Sequence, residues 1–174
     1  MFYEVLGDEI VTSEKKEAIE EVLLKNKKYE NLIITSVVTH LEVLPSKLEQ
    51  KHSEGERKYR SMFDGKRFLD YEITRNTLIR AREIREFYYR APKLDASAKI
   101  MDATDALHLA TATLFNVTEF HTRDDNSKGT KIPLVSLYQW SGVDKVCGKY
   151  PLKIVSPEHD QGTLDLGKAS SENG

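Results

Sequence analysis

The sequence predicts an α/β fold in which helices pack against a mainly parallel β-sheet. Segments with helical periodicity alternate with short segments of strand-like composition, the order expected of parallel strands joined by helices. In such sheets ligands bind beyond the carboxyl ends of the strands, and Glu42 and Asp124 each follow a strand on that side. The predicted strands lie at 32–35, 68–73, 119–122 and 132–136.

Size and composition indicate one domain of ordinary length. The chain has 174 residues, of which 39% are hydrophobic and 31% charged, so it can bury a proper core. We expect the domain to span about residues 1–150. Residues 157–174 are rich in Gly, Ser, Asp and Glu, and this composition predicts a disordered tail.

The same composition argues against several classes of protein. We expect neither a membrane span nor a signal peptide, because no apolar run is long enough and no leader pattern is visible. Cys147 is the single cysteine, so disulfides and a zinc–cysteine cluster are excluded and a cytoplasmic location is predicted. The net charge is −2, so any RNA site must be a local basic patch.

Two helices are predicted on either side of the first strand. One runs from Ser13 to about residue 25, and the other runs from Ser36, as its N-cap, to about residue 48 and carries Glu42. Pro45 should kink or shorten the second helix. The predicted inward positions are Ala18, Ile19, Val22 and Leu23 in the first helix, and Val37, Val38, Leu41, Leu44 and Leu48 in the second.

The middle of the chain is expected to hold an insertion and a basic helix. Residues 49–66 are polar, with a helical piece whose buried side chains would be Tyr59, Met62 and Phe63. After the strand at 68–73, Thr74 caps a helix that runs to about residue 89. Two interpretations of this helix are open: Arg80, Arg82 and Arg85 contact RNA, or they are ordinary surface beside a core stripe of Ile79, Ile84, Phe87 and Tyr88.

The most informative stretch is 102–125, which predicts a helix, a strand and an acidic turn. Small and apolar residues recur at helical spacing, so one helix face is buried against the sheet. Asp105 opens this helix and Asp124 follows the strand, so the two carboxylates would meet at one sheet end. Carboxylates without Cys or His at ligand spacing suit a hard cation such as Mg²⁺ or Mn²⁺. The buried helix positions are Ala106, Leu109, Ala110, Thr113 and Leu114, and the last strand, 132–136, lies at an edge because of Pro133.

Two separated elements resemble the PIN domain, a family of metal-dependent ribonucleases that includes the VapC toxins of toxin–antitoxin pairs. One is Asp105-Ala106-Leu107 followed by Thr122-Arg123-Asp124, and the other is the strand that runs into the helix carrying Glu42. The resemblance covers about residues 1–138. It implies a PIN-like α/β/α sandwich and an endoribonuclease whose Glu42, Asp105 and Asp124 hold Mg²⁺ or Mn²⁺, with the cation activating water to attack the phosphodiester.

One family element is not matched. PIN domains begin with an apolar strand that ends in a metal-binding Asp, whereas this chain opens with Met1-Phe-Tyr-Glu-Val-Leu-Gly-Asp8, which resembles the helix after that strand. Two explanations are open: the true start lies upstream, or this member has lost the strand and with it catalysis. The first is favoured, because losing a central strand leaves neighbouring backbone groups unpaired.

The resemblance also implies partners, namely an RNA substrate, an antitoxin protein and a second copy in a homodimer. The first rival function is a non-catalytic PIN relative that binds RNA or protein. The second is a small-molecule or phosphoryl-transfer α/β domain with a receiver-like carboxylate site, for which the expected phosphoacceptor Asp and the Lys are not apparent. Capping is the favoured role of Asp102, and Asp125 is expected to be a turn residue. Ser36 and Asn126 are secondary candidates near the site, while His40, His108 and His121 are expected to be structural.

Overall fold

The computed structural model describes residues 13–49, 54–90, 100–125 and 131–156. Helices and strands alternate over these ranges, so the predicted α/β class is confirmed. The helices are α1 (Ser13–Lys27), α2 (Thr39–Glu42), α3 (Pro45–Glu49), α4 (Gly55–Met62), α5 (Arg75–Arg90), α6 (Ala103–Leu114) and α7 (Leu137–Ser141), and the strands are β1 (Ile33–Ser36), β2 (Phe68–Tyr71), β3 (Glu119–His121) and β4 (Lys153–Val155).

The described strands form two separate parallel pairs instead of the single sheet predicted. β1 pairs with β2, with Ile33 opposite Phe68, and β3 pairs with β4, with Glu119 opposite Lys153. Each parallel pair is joined through helices, as crossover connections require. The predicted parallel direction is therefore confirmed, whereas the continuous sheet is not formed by the described residues.

The predicted last strand at 132–136 is wrong. Ile132 and Leu134 are buried, but residues 132–136 belong to none of the described strands. A single parallel bridge joins Ile100 to Lys131, the residue before the segment, and the chain then enters α7. Pro133 has no backbone N–H to donate to a neighbouring strand, which helps to explain why this apolar segment does not form a regular strand. The partner of β3 is instead β4, which the sequence interpretation missed.

The helix predicted from Ser36 to about residue 48 is broken into α2 and α3. Val43 between them is extended, with φ −94° and ψ 102°, and Pro45 starts α3, so the predicted effect of Pro45 is confirmed. The break changes which side chains face inward. Leu41 and Leu44 are 77% and 53% exposed, against prediction, while Val43 is buried.

Two cores hold the described elements together. The larger lies between α5 and α6 and the segments that follow, and it includes Ile84, Tyr88, Leu109 and Leu137. The smaller joins Val43 and Leu48 to Tyr59, with Met62 and Phe63 packed against it, as predicted for the insertion. The α5 stripe departs from prediction at Ile79, which is 56% exposed; its buried positions are Thr77, Ala81, Ile84 and Tyr88.

Several predictions are confirmed at single residues. Thr74 Oγ1 accepts a hydrogen bond from Thr77 N at 3.2 Å and so caps α5. Ala18 and Ile19 are buried on α1. Burial raises the pKa of the Cys147 thiol to about 12, as expected of a structural cysteine.

Other predictions fall outside the described residues. These are the helix-like reading of residues 1–8, the disordered tail at 157–174 and any role of Asn126. Among the helices that the structure describes, none has both the length and the apolar character needed to cross a membrane.

Candidate functional site

A groove of about 440 Å³ separates β1 from β3 and holds two of the predicted site residues, Glu42 and Asp105. It is lined along its length by the residues of both strands. Glu42, which follows β1, and Asp105, in the first turn of α6, line this groove together with Ser36 and His108.

Glu42 lies at the end of α2, three residues after Thr39, which follows β1. Its Oε2 lies 3.0 Å from His108 Nε2 on α6. The hydrogen bond from His108 lowers the pKa of the Glu42 carboxyl, while partial burial opposes this. His108 was expected to be a packing residue, and this contact corrects that view. Its position one helical turn after Asp105, on the same face, is the sequence signal that would have placed it here.

Asp105 lies in the first turn of α6 and is partly buried. Burial and the negative charges of Asp124, Asp102 and Glu42 together raise the pKa of its carboxyl to about 6, with Lys131 opposing them. Carboxylates destabilise each other's charged forms only when they are close or poorly screened. The pKa of Asp105 therefore responds to Asp124, Asp102 and Glu42, while a shared metal site stays a prediction.

Asp124 follows β3 and organises the loop that replaces the predicted strand. Its N–H donates to Thr122 Oγ1 at 3.1 Å. Its Oδ2 accepts from Leu134 N at 3.3 Å, and its carbonyl accepts from Val135 N at 3.0 Å. Asp124 thus has a structural role in addition to its place beside Asp105.

Asp102 is the N-cap of α6, as predicted. Its Oδ1 accepts from Thr104 N at 2.9 Å, and its Oδ2 lies 3.0 Å from Lys131 Nζ. The hydrogen bonds from Thr104 and the bond from Lys131 lower the pKa of its carboxyl to about 2. Asp102 is therefore charged at neutral pH and already engaged by the protein.

Ser36 does not cap the helix in the way predicted. It ends β1, is fully buried, and its Oγ accepts from Val38 N at 3.2 Å. The N-cap of α2 is Val38, without a side-chain bond, because β1 continues one residue further than expected, to Ser36. Ser36 nevertheless lines the groove.

The donor chemistry of these residues fits a hard divalent cation, which prefers carboxylate oxygens. The like-charge repulsion felt by Asp105 is what a bound cation would relieve. The donors are not gathered into a cage, however. Among the described residues, no group of three or more Asp, Glu, His or Cys is arranged to hold a metal ion.

The basic residues of α5 differ in their surroundings. The Arg80 guanidinium lies 3.7 Å from the centre of the Tyr150 ring and donates to Thr113 Oγ1 at 3.3 Å. Arg85 Nε donates to Met101 O at 3.1 Å, next to Asp102. Arg82 is exposed and, with Arg85, lines a second groove of about 400 Å³. RNA contact by these residues stays a prediction.

Two histidines make contacts that hold elements in place. His40 Nδ1 lies 2.7 Å from Tyr59 Oη and its Nε2 lies 2.9 Å from Asp70 Oδ2, so His40 links α2 to α4 and β2. His121 Nε2 lies 3.3 Å from Glu119 Oε2. These contacts agree with the structural roles predicted for both.

Comparison with known proteins gives no relative. No family model matches the chain, and neither the curated proteins nor the solved structures contain a significant match.

Proposed function

We propose that this protein is a PIN-like, Mg²⁺- or Mn²⁺-dependent endoribonuclease of the VapC toxin type. The observation that carries the proposal is the raised pKa of Asp105, caused by burial and by the charges of Asp124, Asp102 and Glu42. Residues whose pKa values are strongly shifted by burial and by neighbouring charges are typical of functional sites. The resemblance of the motifs around Asp105, Asp124 and Glu42 supplies the choice of nuclease.

The residues have distinct roles in this proposal. Glu42, Asp105 and Asp124 would hold the cation, which when bound offsets the phosphate charge and promotes ionisation of water. His108 positions Glu42 through their 3.0 Å contact. Asp102 fixes the start of α6, and so the position of Asp105, by capping.

The proposal extends to partners and location. The substrate is RNA, approached from the side of α5 that carries Arg82 and Arg85, while Arg80 is held against Tyr150. As the resemblance implies, we further propose that the protein binds an antitoxin protein, forms a homodimer and is located in the cytoplasm.

A second candidate is a non-catalytic relative that binds RNA or protein. It is favoured by a specific observation: Glu42 and Asp102 are held by His108 and Lys131, and the described residues offer no three-donor cage. The metal-binding Asp of the first PIN strand has no match in this sequence, and its loss would also favour the non-catalytic relative, because each carboxylate contributes to the attraction of the cation.

An RNA cleavage assay separates the two candidates. Incubation with structured and single-stranded RNAs in Mn²⁺ should give weak cleavage that EDTA abolishes and that Asp124→Asn and Glu42→Gln remove. Asp125→Asn is the matched control, since Asp125 is exposed and is the residue next to Asp124. Cleavage that survives EDTA would refute the metal-dependent mechanism, and Mn²⁺-independent RNA binding without cleavage would favour the non-catalytic relative.

A further inference from the structure

The second groove, of about 400 Å³, lies between α5 and the start of α6. Two packed helices leave such a groove along their line of contact, and a third helix can lie in it. Ala103 and Leu107 line it from α6, with Ile100 just before that helix. The residues that line it from α5 recur at helical spacing, and they are Leu78, Ala81, Arg82, Arg85, Glu86 and Tyr89.

Large apolar side chains of the second groove are exposed. Leu78 is 53% exposed, Tyr89 is 56% exposed and Ile100 is 42% exposed. Leu78 and Tyr89 lie on one stripe of α5, about three turns or roughly 16 Å apart along the helix axis. Exposed apolar surface that is gathered in one place is typical of an interaction site, so an element of similar length would cover it.

The second groove carries positive charge between its apolar ends. Arg82 and Arg85 lie between Leu78 and Tyr89 on the same stripe, and both arginines are exposed. The two carboxylates of α5 do not neutralise them, because each pairs with another arginine. These pairs are Glu83 with Arg80 at 3.5 Å and Glu86 with Arg90 at 2.5 Å. A partner that covers the apolar residues would therefore gain from carboxylates in its middle.

Charge argues against a second copy of the chain as the occupant. If two α5 helices paired in antiparallel so that both Leu78 and Tyr89 were covered, Arg82 of each copy would lie opposite Arg85 of the other. Like charges that face each other across an interface are unfavourable. Self-pairing through this groove is therefore disfavoured.

The apolar lining argues against RNA as the preferred occupant. Single-stranded RNA binds proteins through cationic grooves and through stacking of bases on aromatic rings. Tyr89 is the one aromatic side chain among the described residues that line this groove, whereas Leu78, Ile100 and Leu107 are aliphatic. Aliphatic surface of this kind matches the apolar face of an amphipathic helix.

We infer that the second groove binds an acidic amphipathic helix of a partner protein, about three turns long. Its apolar residues would pack against Leu78, Ile100 and Tyr89, as in other helix-in-groove complexes, and its carboxylates would lie against Arg82 and Arg85. The inference does not rest on ribonuclease activity. Because the proposed function brings RNA to the same two arginines, a bound helix would exclude RNA from them.

The experiment measures the binding of a fluorescein-labelled peptide to the full chain by anisotropy. The peptide repeats Leu-Glu-Ala-Leu-Glu-Glu-Ala twice, which places leucines on one helix face and glutamates beside them. We expect saturable binding that Leu78→Asp and Arg82→Glu each weaken by about tenfold or more, and that added salt also weakens. Arg75→Glu is the matched control and should bind as the wild-type protein does, since Arg75 is an exposed arginine of α5 outside the groove.

Two further peptides test whether the groove recognises both shape and charge. A scrambled peptide of the same composition lacks the apolar face, and a peptide with Lys in place of Glu reverses the charge. Each should bind the wild-type protein about tenfold more weakly or worse. The Lys peptide should bind Arg82→Glu more tightly than the wild-type protein, which would also show that this variant is folded.

Several results would overturn the inference. Equal binding of the scrambled peptide would mean that the arginines recognise negative charge alone. An oligouridylate that binds more tightly than the acidic peptide, and that Arg82→Glu weakens equally, would assign the groove to RNA. Dimerisation of the free protein that Leu78→Asp abolishes would assign it to a second copy. Absence of saturable peptide binding, or an equal loss in Arg75→Glu, would exclude the groove as a helix site.

Discussion

Glu42 and Asp105 line the same groove, yet their surroundings shift the pKa values of their carboxyls in opposite directions. His108 donates to Glu42 and lowers its pKa, whereas burial and three neighbouring carboxylates raise that of Asp105. Such divergence is a common device for giving two carboxylates different tasks. The opposite pKa shifts predict that a bound cation would stabilise the charged form of Asp105 more than that of Glu42.

The raised pKa of Asp105 predicts how stability depends on pH. Since the folded protein holds this proton up to about pH 6 and the unfolded chain releases it near pH 4, folding stability should fall as pH rises between these values. Asp105→Asn removes the ionisable group, so it should stabilise the protein at pH 7 by about 1–2 kcal/mol after allowance for solvent screening.

Urea denaturation at pH 4.5 and pH 7 measures this effect. The stabilisation by Asp105→Asn should be smaller at pH 4.5, and Asp125→Asn should show neither effect. A destabilised Asp105→Asn variant at pH 7 would mean that the charged carboxylate has a favourable partner and that the electrostatic picture of the site is wrong.

The capping of α6 by Asp102 gives a second prediction for a single residue. Asp102→Ala removes the acceptor for Thr104 N and the partner of Lys131. N-cap substitutions of this kind cost about 1 kcal/mol, and the exposed ion pair contributes less. Lys131→Met is the control that removes the ion pair alone. If both variants lost the same free energy of unfolding, the cap would contribute nothing measurable.

The backbone packs closely around Gly55, at the corner between α3 and α4. A Cβ added at Gly55 would lie 2.6 Å from the carbonyl oxygen of Leu48, which is backbone and cannot move aside cheaply. Gly55→Ala should therefore destabilise this corner by about 1–3 kcal/mol, and it should loosen the small core around Tyr59 first.

Gly65→Ala is the matched control for this prediction. Gly65 has a φ of +68° but no atom within 4 Å of an added Cβ, so the variant carries only the strain of a left-handed alanine, about 1 kcal/mol. Thermal unfolding of both variants distinguishes the two effects. A smaller loss for Gly55→Ala than for Gly65→Ala would contradict the close contact with Leu48.

The predicted elements differ in how well local sequence determined them. Helices α5 and α6 were located closely because they carry strong periodicity and clear caps at Thr74 and Asp102. The helix after β1 was predicted as continuous, because Leu41 and Leu44 fit the spacing of a buried helix face. In the structure Pro45 and the extended Val43 interrupt it. Strand β4 is only three residues long. It is stabilised by pairing with β3, which is distant in the sequence, so the local sequence pattern could not predict it.

Among the described residues as a whole, strands β1 and β3 belong to two separate parallel pairs and line one groove, together with Glu42 and Asp105. The sequence could indicate that Glu42 and Asp124 each follow a parallel strand, because alternating strands and helices predict parallel pairing, and the site that they would form with Asp105 stays a prediction. The sequence could not indicate the Glu42–His108 contact or the engagement of Asp102 by Lys131, because these depend on the relative placement of distant segments.

The central claim is that Glu42, Asp105 and Asp124 form part of a divalent-cation site. Calorimetric titration of Mn²⁺ into the full chain at pH 7 tests it directly, with Asp105→Asn and the control Asp125→Asn measured alongside. The claim predicts saturable binding that Asp105→Asn weakens by about tenfold or more, because a charged ligand is lost, and that Asp125→Asn leaves unchanged. Mn²⁺ binding of equal affinity in the wild-type protein and Asp105→Asn, or no binding to the wild-type protein, would contradict it.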